Sequence, residues 1–135
     1  MADSQRLVGA RGEGTIQYQD QTLPVLLTNR AIAEAEKATG KTMIQLAQAG
    51  STGNIGMNDI VQLLRAGLEY GRRDAGIQRQ VYSVDDAYNV LDALGFAPCA
   101  KVVILALSDV LSYRGDDADS KRSDAVPPVV ARSET

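Results

Sequence analysis

The hydrophobic period changes once along this chain, and that change limits the folds that the chain can adopt. Residues 15–19 alternate apolar with polar side chains, so that Ile16 and Tyr18 fall on one face, and Leu23, Val25 and Leu27 recur at every second position. Such alternation predicts two half-buried strands. From Asn29 onward the apolar spacing becomes helical and remains so. The chain therefore lacks the regular alternation of strands and helices that builds a parallel α/β sheet. We expect an α+β fold that is mostly α.

Asp20 and Gln21 lie between the two predicted strands and are expected to turn an N-terminal β-hairpin. The pair lacks the glycine that marks the tightest hairpin turns. Pro24 has no backbone N–H to donate, so the second strand is expected at the edge of a sheet.

About five short helices are expected after the hairpin, because each helical segment has its own start or stop signal. Gly40, Gly71 and Gly95 stand where helices should end. Ser83 and Asp86 resemble a capping box that opens the fourth helix. The first two predicted helices are 30–39 and 42–49, and a glycine-rich break follows them. The third is capped by Asn58 or Asp59 and ends at Gly71. The fourth is 84–94, and the last has Pro98 in its first turn and runs to about Tyr113.

The remaining segments frame a single domain. The chain has 135 residues, which is enough for one domain with its own core. Residues 1–12 are polar and contain glycine, and we expect a flexible lead there. Residues 114–135 are polar, charged and proline-containing, which predicts a disordered C-terminal tail. The predicted domain is therefore 13–113.

Two apolar surfaces are candidates for binding other proteins. The third helix has the best amphipathic stripe in the chain, and the last helix is apolar nearly all round, which is typical of a central helix or a subunit interface. An apolar helix face or an edge strand can hold a partner segment. The predicted partner-binding residues are Ile60, Leu63, Leu64 and Leu68 on the third helix and Val103, Leu107, Val110 and Leu111 on the last.

The charge of the chain argues against nucleic acid as a partner. The formal net charge is −3, whereas nucleic-acid-binding proteins usually present a basic patch. Arg72 and Arg73 are the only obvious start of such a patch, and a solvated helix end is the favoured interpretation. The longest uninterrupted apolar run, residues 102–107, is too short to span a bilayer, and the N-terminus lacks the apolar core of a signal peptide. We expect a soluble cytoplasmic protein without a membrane partner.

The segment AEKATGKT, residues 35–42, fits a tolerant form of the phosphate-binding P-loop, and VVILALSD, residues 102–109, has the form of its acidic partner strand. A P-loop requires a strand, a glycine-rich loop and then a helix. Here the first segment continues a predicted helix, and the second lies in another. Gly40 is better explained as a helix stop, so we expect no nucleotide site.

No combination of side chains predicts an active site. The chain has no histidine, which removes the commonest general base and metal ligand. Cys99 has neither a second cysteine nor a histidine to work with, so we expect it to be a packed small residue. Asp85 and Asp86 stand at a predicted helix start, where carboxylates favour the helix dipole. We therefore expect no enzymatic activity, no catalytic residues, no cofactor and no metal site.

The order of the segments is more distinctive than any one of them. A hairpin, TIQYQDQTLPVLLT, precedes RAIAEAEKATGKTMIQL, in which Glu36 stands four residues before a glycine that a lysine follows. Next come NDIVQLLRAGLEYG, with an L-L-x-A-G-L pattern at residues 63–68, and SVDDAYNVLDALG. In this order and spacing, residues 11–113 resemble the small tail-assembly chaperone family of siphophages and gene transfer agents.

The resemblance implies a role without catalysis. Such a chaperone would bind the tape-measure protein in the bacterial host cytoplasm, keep its long hydrophobic helices soluble and help to recruit tail-tube subunits. Some members of the family are labelled as tail-tube or minor tail proteins. The alternative is thus a structural component of the assembled tail particle, a homo-oligomer with residues 102–111 in its interface. A small nucleic-acid-binding regulator is a remote third hypothesis.

Overall fold

The computed structural model describes residues 12–113, and the predicted fold class is confirmed for this part of the chain. An antiparallel two-stranded hairpin is followed by five helices. Gly12, which we assigned to the lead, is the first residue of the first strand. The rest of the predicted lead and the predicted disordered tail, 114–135, lie outside the described residues. The elements are β1 (Gly12–Tyr18), β2 (Gln21–Leu27), α1 (Asn29–Thr39), α2 (Met43–Ser51), α3 (Met57–Ala75), α4 (Val84–Leu94) and α5 (Phe96–Ser112).

The hairpin turns at Gln19 and Asp20, one residue earlier than predicted. Tyr18 pairs with Gln21, which leaves only two residues in the turn, and their φ angles are 51° and 64°. Positive φ at both central residues matches the right-handed twist of the strands, and aspartate tolerates this conformation better than most residues. Within residues 12–113, β2 pairs only with β1, so the predicted edge position of Pro24 is confirmed.

Helix caps form where the sequence provides a matching side chain, both at the predicted capping box and at Thr42, which we placed inside the second helix. The hydroxyl of Ser83 accepts the N–H of Asp86, whose carboxylate accepts the N–H of Ser83, so the predicted capping box is confirmed. Thr42 and Gln45 make the equivalent pair of bonds at the start of α2. Gly40 ends α1 with a φ of 75°. These contacts satisfy backbone groups that a helix leaves unpaired, which is why they determine the helix ends.

The start of α3 differs from the prediction that Asn58 or Asp59 is its cap. The helix begins at Met57, and Gly56 is the residue that precedes it. The carboxylate of Asp59 accepts the N–H of Gly56 at 3.4 Å from within the first turn. At this position the negative charge also favours the helix dipole.

Two glycines that we expected outside helices lie inside them. Gly71 does not end α3, which continues to Ala75 and is followed by Gly76 with a φ of 70°. A Cβ on Gly71 would collide with the carbonyl group of Pro24, so its missing side chain allows α3 and β2 to approach closely. Gly50 likewise lies within α2, and a Cβ there would come 2.9 Å from the side chain of Ile104 in α5. Close packing, not helix termination, explains both glycines.

α3 is the central element of the domain. It packs against β2, α1, α4 and α5, and α5 in turn lies against β1. One face of the hairpin, with Ile16, Leu23, Val25 and Leu27, points into the resulting aliphatic core. None of the helices between residues 12 and 113 combines the length and the apolar character needed to cross a membrane.

Candidate interaction surface

The apolar stripe of α3 forms the middle of the core. Ile60, Leu63 and Leu64 are completely buried, and Leu68 is nearly so. A glycine on the same helix, Gly67, lies against the side chains of β2. Since contacts within the chain cover these four predicted partner-binding side chains, the folded domain does not offer them to a partner.

The four predicted partner-binding residues of α5 divide between the core and the surface. Val103 and Leu107 are completely buried and contribute to the same core as α3. Val110 is partly buried, and Leu111 is 39% exposed. Only the C-terminal end of this set therefore remains accessible to another protein.

The outward face of α5 presents side chains that we did not select from the sequence. Leu105 is 54% exposed, and Lys101, Ser108 and Asp109 are exposed around it. Because residues three and four apart are neighbours on a helix surface, these four side chains form one patch. We call this patch, Lys101, Leu105, Ser108 and Asp109, the outer stripe of α5. Its spacing of three and four residues was visible in the sequence, but the apolar run around it concealed which face is solvent-exposed.

A groove of about 360 Å³ opens between β1 and the junction of α4 with α5. Its apolar walls are Ile16 of β1, Leu94 of α4, and Pro98, Cys99 and Val102 of α5. The side chains of residues 15 and 17 complete the lining. Its walls are mostly apolar, so the groove can accept an apolar side chain of a partner protein.

Cys99 in the wall of this groove is a packed residue, as predicted. It is 1% exposed, and burial raises the pKa of its thiol. The neutral thiol therefore dominates at neutral pH, whereas nucleophilic chemistry requires the thiolate.

Arg72 and Arg73 at the end of α3 are held by a buried carboxylate. Glu69 is 1% exposed and accepts hydrogen bonds from Arg72 Nη2 at 2.6 Å, Arg73 Nε at 2.7 Å and the N–H of Tyr82 at 3.0 Å. The hydrogen bonds from Arg72 lower the pKa of Glu69 most, and desolvation of the carboxylate opposes them. The bonds from Tyr82 and Arg73 lower the pKa further, so that it falls to about 2. The two arginines thus belong to an ion cluster that ties α3 to the segment before α4.

A second polar cluster connects α1 with α3. Glu34 accepts a hydrogen bond from the hydroxyl of Tyr70 at 2.6 Å and another from Arg65 Nη2 at 2.7 Å. Burial raises the pKa of Glu34, but these two hydrogen bonds outweigh that effect, and the pKa lies below its ordinary value. Arg65 also donates to the carbonyl of Tyr82, so this cluster lies beside the one around Glu69.

The segment that resembles a P-loop is a tight helix–helix junction. Glu36 in α1 accepts the N–H of Met43, the first residue of α2, and the Thr42 hydroxyl caps that helix. Lys41 Nζ lies 2.7 Å from the carboxylate of Asp59, which is almost fully buried. The lysine is therefore engaged by α3. The loop directly follows helix α1, whereas a phosphate site would require a strand directly before the loop. The described part of the chain also contains no cluster of three metal-ligating side chains.

A comparison with known protein families supports the resemblance to tail proteins that the order of the segments indicated. The model of a family described as "Phage tail tube protein, GTA-gp10" matches residues 11–109, from the start of β1 into the last turns of α5. No curated protein and no solved structure matches the chain. The family description supports a tail protein of phages or gene transfer agents, and it names a tube protein instead of a chaperone. The chain belongs to the phage tail tube protein family, GTA-gp10.

Proposed function

We propose that this chain is a structural component of a phage or gene transfer agent tail, built into the particle through contacts with other tail proteins and with copies of itself. The family match supports this role, because it spans nearly the whole described domain. We also propose that the role is non-enzymatic and depends on binding alone.

The observation that carries this proposal is the exposed apolar surface of α5. Leu105 is 54% exposed and Leu111 is 39% exposed on this helix, and Val102 and Ile104 beside Leu105 are partly buried. Exposed apolar side chains on the surface of a folded domain often mark the places where protein interfaces form. In an assembled tail, this surface would be covered by a neighbouring subunit.

The groove beside β1 supports a second candidate function, that of a tail-assembly chaperone. The apolar walls formed by Leu94, Pro98 and Val102 could receive side chains from an amphipathic helix of the tape-measure protein. The chain would then act in the bacterial host cytoplasm and pass tail-tube subunits to the growing tail. This role needs no lasting contact with the finished particle.

Quantitative mass spectrometry of purified particles and of the producing cells separates the two roles. A structural component is expected in the particles at a fixed copy number relative to the other tail proteins. A chaperone is expected in the lysate, bound to the tape-measure protein, and absent from the particles. Absence from particles would overturn the structural role, and fixed incorporation would overturn a purely chaperone role.

A further inference from the structure

The outer stripe of α5 carries a charge pattern that is complementary to itself. Lys101, Leu105 and Asp109 follow one another at intervals of four residues, and all three are exposed. With a rise of 1.5 Å per residue, the two charges lie about 6 Å on either side of Leu105 along the helix axis. From the N-terminal end of the stripe, a positive charge, an apolar side chain and a negative charge follow one another. From the C-terminal end, the order of the charges is reversed.

We propose that α5 pairs antiparallel with α5 of a second copy of this chain, across the outer stripe and centred on Leu105. A twofold axis beside Leu105 places the two leucines in contact. The same axis brings Lys101 of each copy level with the partner's Asp109, so that one dimer contains two equivalent ion pairs. The interface is isologous, because the same patch serves on both sides.

The two charges of the stripe are free to make such pairs. Neither Lys101 nor Asp109 has an ion-pair partner among residues 12–113. By contrast, the carboxylates of Glu34, Asp59 and Glu69 are each bound to a cation within the domain. The outer stripe thus carries one spare charge of each sign at the spacing that an antiparallel copy requires.

The side chains around Leu105 also allow two helices to approach each other. Ser108 is small and exposed one turn away, which leaves space for the leucine of the partner. Leu111 adds exposed apolar surface toward the end of the helix. Axes of packed helices lie about 8–10 Å apart, and small residues at the contact favour the short end of that range.

The size of this surface indicates a weak dimer. α5 has 17 residues, so it is about 25 Å long, and one helix pair of that length falls below the roughly 1,200 Å² that stable interfaces usually bury. We expect dissociation in the micromolar range for the purified chain. The inference rests on the proposed function for its partner, since both require contacts between copies of this chain.

Sedimentation of the full-length chain between about 1 and 500 µM tests the dimer, a range chosen around the expected micromolar dissociation constant. Wild type is expected to show a reversible monomer–dimer equilibrium that weakens with added salt. Lys101→Glu and Asp109→Lys should each raise the dissociation constant about tenfold, because both ion pairs become repulsive. The double variant should return to the wild-type value. An equimolar mixture of the two single variants should form heterodimers more tightly than either variant pairs with itself.

Matched controls carry the same charge changes on other helices. Lys37→Glu on α1 and Asp92→Lys on α4 also alter exposed side chains and should leave the dissociation constant unchanged. A chain that stays monomeric over the whole range would overturn the proposal. The proposal would also be overturned if neither the double variant nor the mixture of single variants regained the wild-type dissociation constant. Neither outcome affects the structural role, because the copy number in particles is measured independently.

Discussion

Replacing Glu69 with glutamine should show how much a buried ion cluster stabilises the domain. The carboxylate is 1% exposed, and both of its oxygens accept hydrogen bonds from Arg72, while Arg73 and the N–H of Tyr82 add one bond each. Folding lowers its pKa from 4.5 to about 2, and each pKa unit corresponds to about 1.4 kcal/mol, which gives roughly 3 kcal/mol at neutral pH. Because Arg73 is half-exposed, solvent screening reduces the expected loss to about 2–3 kcal/mol.

The pH dependence of this loss identifies its origin. The pKa of Glu69 is lower in the folded state, so its stabilisation is fully present above pH 4.5 and disappears as the pH falls toward 2. The difference in unfolding free energy between wild type and Glu69→Gln should therefore shrink between these two pH values. Urea unfolding followed by circular dichroism at several pH values measures it. As a control, Asp92→Asn alters an exposed carboxylate and should change stability by less than about 0.5 kcal/mol.

The reasoning about Glu69 would be refuted by either of two results. One is a loss at neutral pH no larger than that of Asp92→Asn. The other is a difference that stays constant as the pH falls below 4.5, because lost packing and not lost charge would then be responsible.

Three further substitutions, with Gly53→Ala as a control, test packing, a hydrogen bond and helix capping through the same urea unfolding measurement. Gly71→Ala should cost about 2–3 kcal/mol, because its methyl group collides with a β2 carbonyl, whereas Gly53→Ala in open space with a φ of 74° should cost about 1 kcal/mol. Equal costs would contradict the close approach of α3 and β2. Tyr70→Phe removes the hydroxyl that donates to Glu34 and should cost about 1 kcal/mol. Ser83→Ala removes the cap of α4 and should cost about 1 kcal/mol; no measurable loss would mean that the capping bond is unimportant.

The hairpin and several helix ends could be predicted because nearby residues determine them. Alternating apolar positions define the strands, and the capping side chains of Thr42 and Ser83 bind backbone groups only three residues away. The one-residue error at the hairpin turn arose because Gln19 and Asp20 adopt positive φ without a glycine to mark them.

Long-range packing explains what local patterns could not predict. Gly50 and Gly71 look like helix stops in the sequence, yet each makes room for an element that is distant along the chain. For the same reason, the stripe of α3 could be recognised as apolar, but its periodicity could not reveal that β2 and the neighbouring helices cover it. A helix face that binds a partner and one that packs in the core have the same apolar periodicity, so only the positions of the other elements distinguish them.

The ion cluster around Glu69 had a sequence signal that we did not use. Arg72 and Arg73 follow Glu69 by three and four residues, which is the spacing of side-chain pairs on a helix. What the spacing could not show is the burial of Glu69 or the third bond from Tyr82, since both depend on how the segment before α4 folds back onto α3.

The copy number of the chain in purified particles, for wild type and for Leu105→Asp, tests the proposed structural role most directly. Val81→Asp is the matched control, because Val81 is 57% exposed, close to the 54% of Leu105, and lies outside α5. We predict a fixed copy number for wild type and Val81→Asp and a clear loss for Leu105→Asp. Particles that lack the wild-type chain, while the lysate contains it, would contradict a structural role in the tail.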